Sequence, residues 1–135
     1  MNPKNMEKII PICENRVFRR MYYRAKSIVT PQVVIYYSKN RLSVNRLGIT
    51  TGKKIGNAVQ RNRSRRIIRQ AFREVSPYIR RGYDFILVAR GKTPYLKTDD
   101  IRNQLLYQLN ERNLLIKLPD GFDFKPKAKS DEAKD

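Results

Sequence analysis

Histidine and tryptophan are absent from this sequence, and cysteine occurs once, at Cys13. Those absences exclude an internal disulfide, Cys/His zinc sites, Ser-His or Cys-His nucleophile pairs and acid/base chemistry run by imidazole. Acids are scarce too: twelve Asp and Glu stand against 30 Lys and Arg. They are scattered, and five of them fall after residue 118, so a carboxylate cage for a metal is poorly supplied. The adjacent pair Asp99 and Asp100 has a simpler reading, as carboxylates in the first turn of a helix capped by Thr98. No apolar run approaches the roughly 18 residues that span a bilayer. The start, MNPKNMEKIIPI, is too short and Pro-broken for a secretory signal. A cytoplasmic protein with no membrane association and little means of doing chemistry alone is expected. Cys13 reads as a small buried residue near a helix start.

What is present is positive charge. The formal net charge is +18 over 135 residues, far beyond what solubility requires, and a polyanion is the expected partner. Residues 119–135 hold four Lys and five acids, net −1, which leaves +19 on residues 1–118. The folded part therefore does the binding. The length allows one domain with a real core, and the expected organisation is an N-terminal extension over 1–13, a domain over 14–118 and a disordered tail over 119–135.

From Asn15 to about Lys26, Phe18, Tyr22 and Ala25 recur on one stripe while Arg16, Arg19, Arg20 and Arg24 take other positions, which predicts an amphipathic helix with the aromatics on its inner stripe. VVIYY at 33–37 and RLGITT at 46–51 read as two strands, expected to form a hairpin. Asn57, with Gln60 three residues on, supplies an N-cap and capping-box partner for a helix over 58–75 that Ser76 and Pro77 stop. YDFILVA at 83–89 is apolar on both alternations and reads as an inner strand. A last helix follows Thr98, with Ile101, Leu105 and Leu109 inward. The order helix, strand, strand, helix, strand, helix predicts a single-domain α+β fold, an α/β sandwich with helices packed on a mixed sheet.

The stretch KKIGNAVQRNRSRRIIRQAFR, residues 53–73, contains eight basic side chains and no acid. Ile67, Ile68, Ala71, Phe72 and Val75 cover one arc of the helix, and Asn62, Arg65, Arg66, Arg69 and Arg73 the opposite one, with Arg61 at the border. A solvated helix face normally mixes signs. Here Arg61, Arg65, Arg69 and Arg73 stand four apart with nothing to offset their repulsion, so an external anion must do so, and phosphates suit the planar Arg fork. Phe18, Tyr22, Tyr23, Tyr36 and Tyr37 add stacking surfaces for unpaired bases. Phe18 reads equally as core or groove, whereas Tyr22 and Tyr36 lean to the groove because a hydroxyl tolerates water. A groove between first helix, sheet and basic helix would take a single strand. Rival readings are a general RNA-binding or ribosome-associated protein, a DNA-reading module, for which the helix has too few base-reading side chains, and an autonomous nuclease, for which the carboxylates are lacking.

These same residues resemble the signature of the bacterial ribonuclease P protein family: G-N-A-V at 56–59, Arg-Asn-Arg at Arg61, Asn62 and Arg63, then the pair Arg65 and Arg66, with further likeness through YDFILVAR and back to the first helix and VVIYY. The resemblance implies a protein subunit that carries no catalytic residue or metal of its own. It would join a catalytic RNA, which holds magnesium and removes the 5′ leader of precursor tRNA. No DNA partner is implied. It also implies a left-handed β-α-β crossover, against the usual rule, as in the second domain of a small-subunit ribosomal protein. By position, Phe18, Tyr22, Tyr36, Arg61, Asn62, Arg65 and Arg69 would contact the leader, and Lys53, Lys54, Arg63, Arg66 and Arg73 the catalytic RNA. Gly52, Arg65 and Ala25 stand where the family commonly has Ser, Lys and Gly.

Overall fold

The computed structural model describes residues 9–122. The elements are β1 (Ile10–Pro11), α1 (Asn15–Arg24), β2 (Lys26–Val29), β3 (Val33–Lys39), β4 (Arg46–Thr50), α2 (Ala58–Val75), β5 (Tyr83–Ala89) and α3 (Thr98–Glu111), with short 3-10 turns before and after α2 and before α3. The strands form one sheet in the order β1-β4-β5-β3-β2. β5 lies at its centre, parallel to β4 and antiparallel to β3, which explains why YDFILVA is apolar on both alternations.

This order corrects the expected hairpin. VVIYY and RLGITT are not neighbours, because β5 inserts between them. The hairpin partner of β3 is β2, joined through a turn in which Thr30 accepts from Val33 N–H through its hydroxyl oxygen (3.0 Å) and donates that hydroxyl to the Val33 carbonyl (2.6 Å). Four residues with one buried side chain, Ile28, gave too short an alternation to signal that strand. The first helix accordingly ends at Arg24. Ala25, in the place where the family commonly has Gly, adopts an ordinary extended conformation (φ −72°, ψ 157°) that leads straight into β2.

Strand alternation sorts the side chains between two layers. Val33, Ile35, Phe85 and Leu87 meet Ile68, Ala71 and Phe72 of α2 and Ile101 and Leu105 of α3 in the larger core. Ile86, on the other face, meets Val17 and Met21 of α1 together with Ile12, so the inner stripe of that helix is Val17 and Met21 rather than the expected Phe18, Tyr22 and Ala25, which flank it. Hence α1 covers one face of the sheet, and α2 and α3 cover the other.

The domain also reaches past its expected limits. β1 pairs in parallel with β4, and Ile12 is buried whereas its neighbour Cys13 is exposed, contrary to the expectation for the cysteine. At the other end Leu114 and Leu115 are buried and Phe122 packs against the larger core; the tail expected to be disordered lies outside the described residues from 123 onward. Among the described residues no helix is long and apolar enough to cross a membrane.

Candidate nucleic-acid interface

The α1 face of the sheet carries a row of partnered positions, Gly48 on β4, Ile86 on β5, Tyr36 on β3 and Ser27 on β2. At Gly48 the missing side chain is what matters. A Cβ there would come within 2.6 Å of Cζ of Phe18, so the glycine lets the α1 ring lie directly on the strand. Phe18 then sits 6.3 Å from Tyr22, and Tyr22 meets Tyr36 edge-on at 5.1 Å between ring centroids. The three aromatics named from the sequence therefore form one continuous cluster. Phe18 and Tyr36 are half-buried and Tyr22 is exposed, so ring surface remains open to a ligand.

Val34 and Val88, half-buried partners on the next row, and the exposed Val29 continue this face as an apolar floor. The opposite end of the floor is polar. Asp84, only 2% exposed, accepts from Arg46 Nε (2.8 Å) and Nη2 (2.7 Å) and from Asn40 Nδ2 (2.9 Å). Donation to Asp84 raises the pKa of the Arg46 guanidinium, fixing it as a cation at the cleft edge. Aromatic edges, an aliphatic floor and flanking arginines suit unpaired bases attached to phosphates.

The basic helix starts as its sequence demands. Asn57 Oδ1 accepts from Gln60 N–H (2.9 Å) and Gln60 Oε1 accepts from Asn57 N–H (3.1 Å), a complete capping box. Its arginines divide by their local partners. Half-buried Arg61 donates to the carbonyl of Gly56 (2.7 Å) and Arg65 to Asn62 Oδ1 (2.6 Å). Arg63 donates to the carbonyl of Pro94 (2.8 Å). Arg63, Arg66, Arg69 and Arg73 line one shallow groove with Gln70 and Thr98, beside the start of α3. Among the described residues none of the six α2 arginines has a carboxylate partner; the ion pairs there join Arg16 to Glu14, Arg46 to Asp84, and Arg102 to Glu74 and Asp99.

The expected groove between α1, sheet and α2 is thus two surfaces. α2 packs on the sheet face opposite α1, and its outer arginines open away from the aromatic cleft. Arg69, grouped with the aromatics from the sequence, shares a groove with Arg63, Arg66 and Arg73 instead. A physical link between the two surfaces runs through the β4–α2 connection: Tyr22 Oη is hydrogen-bonded to Thr50 Oγ1, and exposed Lys53 and Lys54 follow in the next turn. Sequence reading missed Tyr95, which is exposed and whose hydroxyl oxygen accepts from Gln60 Nε2 (2.8 Å) at the start of α2. Only its polar setting in KTPYLK hinted at exposure.

Among the described residues no group of three or more His, Cys, Asp and Glu converges to hold a metal. Asp99 pairs with Arg102 at 3.2 Å and Asp100 accepts from the Lys97 N–H at 2.9 Å, the helix-start role expected of them, with Thr98 inside the first turn and Lys97 at the cap.

The family model for Ribonuclease P matches residues 6–112. The ribonuclease P protein component of Thermoanaerobacter sp. (strain X514) is 38% identical over 112 residues, covering 83% of this chain and 91% of the relative. That of Natranaerobius thermophilus is 34% identical over 83% of this chain and 97% of its own. Among solved structures, the RNase P protein of Staphylococcus aureus superposes with a TM-score of 0.68 at 34% identity, over 79% of this chain and 98% of that one. The Thermotoga maritima protein gives 0.67 at 28% identity, over 75% and 96%.

Proposed function

The chain belongs to the ribonuclease P protein family, and from that premise we propose that it acts in the cytoplasm as the protein subunit of a ribonucleoprotein endonuclease that removes the 5′ leader from precursor tRNA. The chemistry belongs to the RNA subunit, with magnesium held mainly by that RNA; the scattered, locally engaged carboxylates of this chain make it a poor metal carrier. The chain's own work is to bind and orient two RNAs.

The observation that carries this reading is the separation of two differently built surfaces. Phe18, Tyr22 and Tyr36 cluster on one sheet face, where unpaired leader bases can stack. Arg63, Arg66, Arg69 and Arg73 line a groove on the other layer without base-stacking rings, which suits the phosphate backbone of the catalytic RNA. Lys53 and Lys54 belong with that second set. Arg61 and Arg65 stand on the flank of α2 opposite Arg63 and Gln70, with Asn62 accepting from Arg65 on the outer face, and following the family these three are assigned to the leader side. Arg69 moves to the catalytic-RNA side.

The test is cleavage of a precursor tRNA with a 5′ leader at low magnesium by a bacterial ribonuclease P RNA alone, by this protein alone and by the two together. Efficient cutting to mature 5′ ends only in the mixture is expected. A protein that binds RNA of every kind yet adds nothing to cleavage would instead be a general RNA-binding protein.

A further inference from the structure

Helix α1 has a second face that the cleft does not use. Val17 and Met21 point into the sheet; at 100° per residue the opposite side carries Arg16, Arg19 and Tyr23, with Arg20 and Arg24 on one flank and Tyr22 on the other. Tyr23 is 91% exposed, more than any other large apolar or aromatic side chain among the described residues, against 42% for Tyr22. A tyrosine with almost no contact to its own fold adds nothing to the core. It is also set among cations: Arg19, Arg20, Tyr22, Tyr23 and Arg24 line one shallow hollow. Within the helix there is no acid, and Glu14, just before it, pairs among the described residues with Arg16 at 3.8 Å, between two exposed side chains, and not with Arg19, Arg20 or Arg24. Exposed aromatic and unpaired guanidinium groups in one hollow match a nucleotide, whose base stacks while its phosphates are paired.

Tyr22 belongs to both surfaces. Its ring meets Tyr36 in the cleft, and it also forms the rim of the outer hollow. A strand lying on the cleft aromatics and leaving past Tyr22 arrives at Tyr23. We infer that the outer face of α1 is an extension site for the distal, unpaired part of a long 5′ leader, with Tyr23 stacking on a base and Arg19 and Arg20 pairing with its phosphates. This rests on the proposed role of the cleft in leader binding. Short leaders end in the cleft and do not reach this face; long ones wrap over the helix.

The experiment uses the reconstituted holoenzyme and two precursor tRNAs, one with a leader of about five nucleotides and one of about fifteen, spans set by the extended reach of a chain against a ten-residue helix. Tyr23→Ala and Arg19→Gln/Arg20→Gln are compared with the unaltered protein for precursor affinity. The expected result is a loss of about tenfold for the long leader with Tyr23→Ala, a shallower salt dependence for the arginine variant, and no change for the short leader in either. Equal affinities throughout, or equal losses on both leaders, overturn the extension site while leaving the cleft reading intact. If the unaltered protein fails to favour leader-bearing precursor over mature tRNA, the cleft reading falls and the extension site falls with it. Because Tyr23 touches almost nothing in the fold, its loss leaves folding unchanged, and circular dichroism checks this.

Discussion

The hydroxyl of Tyr22 lies 2.6 Å from Oγ1 of Thr50, which ties the last turn of α1 to the last residue of β4. That contact sets the angle at which the Tyr22 ring stands over Tyr36 and places the mouth of the cleft beside the turn carrying Lys53 and Lys54. Ring and hydroxyl can be separated experimentally. Tyr22→Ala removes a stacking surface and should weaken binding of leader-bearing precursor by about 1 to 3 kcal/mol. Tyr22→Phe keeps the ring and gives up one exposed hydrogen bond to Thr50, a cost of about 0.5 to 1.5 kcal/mol in stability, and should bind precursor nearly as well as the unaltered protein. Equilibrium binding of precursor against mature tRNA reads both, and a Phe variant as weak as the Ala variant would show that the hydroxyl, not the ring face, meets the RNA.

Gly48→Ala tests the seat of Phe18. The new Cβ would lie 2.6 Å and 2.9 Å from two ring carbons of Phe18 and 3.4 Å from Cγ1 of Ile86. Ile86 is fully buried, so the ring must move. The expected outcome is a loss of about 1 to 3 kcal/mol in stability, as for other overpacked sites, seen as a lower urea midpoint with an unchanged slope. Leader affinity should fall with it, while affinity for the catalytic RNA stays as it was, since the α2 groove lies on the other layer. Unchanged stability would mean that Phe18 is not held against β4.

Three local signals in the sequence were faithful, although the cap of α3 is Lys97 and not Thr98. The Asn57–Gln60 capping box, the two-sided apolar pattern of β5 and the like-charged spacing along α2 all depend on neighbours within a few residues, and each is found as read. What could not be read depends on distant pairing. Nothing in VVIYY or RLGITT says that a strand some 35 to 50 residues further on will insert between them. The helical period of α2 shows which side is apolar, but not which face of the sheet receives it. That missing fact merged two surfaces into one groove; the leader role of Arg69 came from the family resemblance, not from the helical period. Cys13 failed for a similar reason: Ile12 takes the buried position after the short β1 pairing, and the next side chain points out.

Arg66 and Arg69 are exposed neighbours in the α2 groove with no carboxylate partner among the described residues. Replacing both by Gln should leave the fold intact and weaken binding to the catalytic RNA at all sequences alike. If each arginine neutralises one phosphate, the slope of log affinity against log salt drops by about 0.7 to 0.9 per residue. Preference for precursor over mature tRNA should be retained. A double variant that keeps the full salt slope but loses leader preference would return Arg69 to the leader side.

Asp84 offers a test of the cleft's polar end that does not involve RNA. Its carboxylate is buried and accepts three hydrogen bonds, two from Arg46 and one from Asn40, whereas the Arg46 side chain retains 25% exposure. Asp84→Ala leaves the Arg46 guanidinium without its partner at the start of β5, while the Asn40 amide keeps its hydrogen bond to the Val44 carbonyl (3.0 Å). Breaking a buried pair in this way costs about 3 to 5 kcal/mol, and the lower end applies because Arg46 can still reach water. The double variant Arg46→Met/Asp84→Leu removes both charges and should recover most of that loss, since an apolar pair of similar size is often as stable. Urea unfolding of the four proteins completes the cycle. Recovery in the double variant identifies the ion pair as a device for holding Arg46 in place at the cleft, because stability alone would not require it. A double variant as unstable as Asp84→Ala would instead make Arg46 and Asp84 a structural necessity of the β4–β5 pairing.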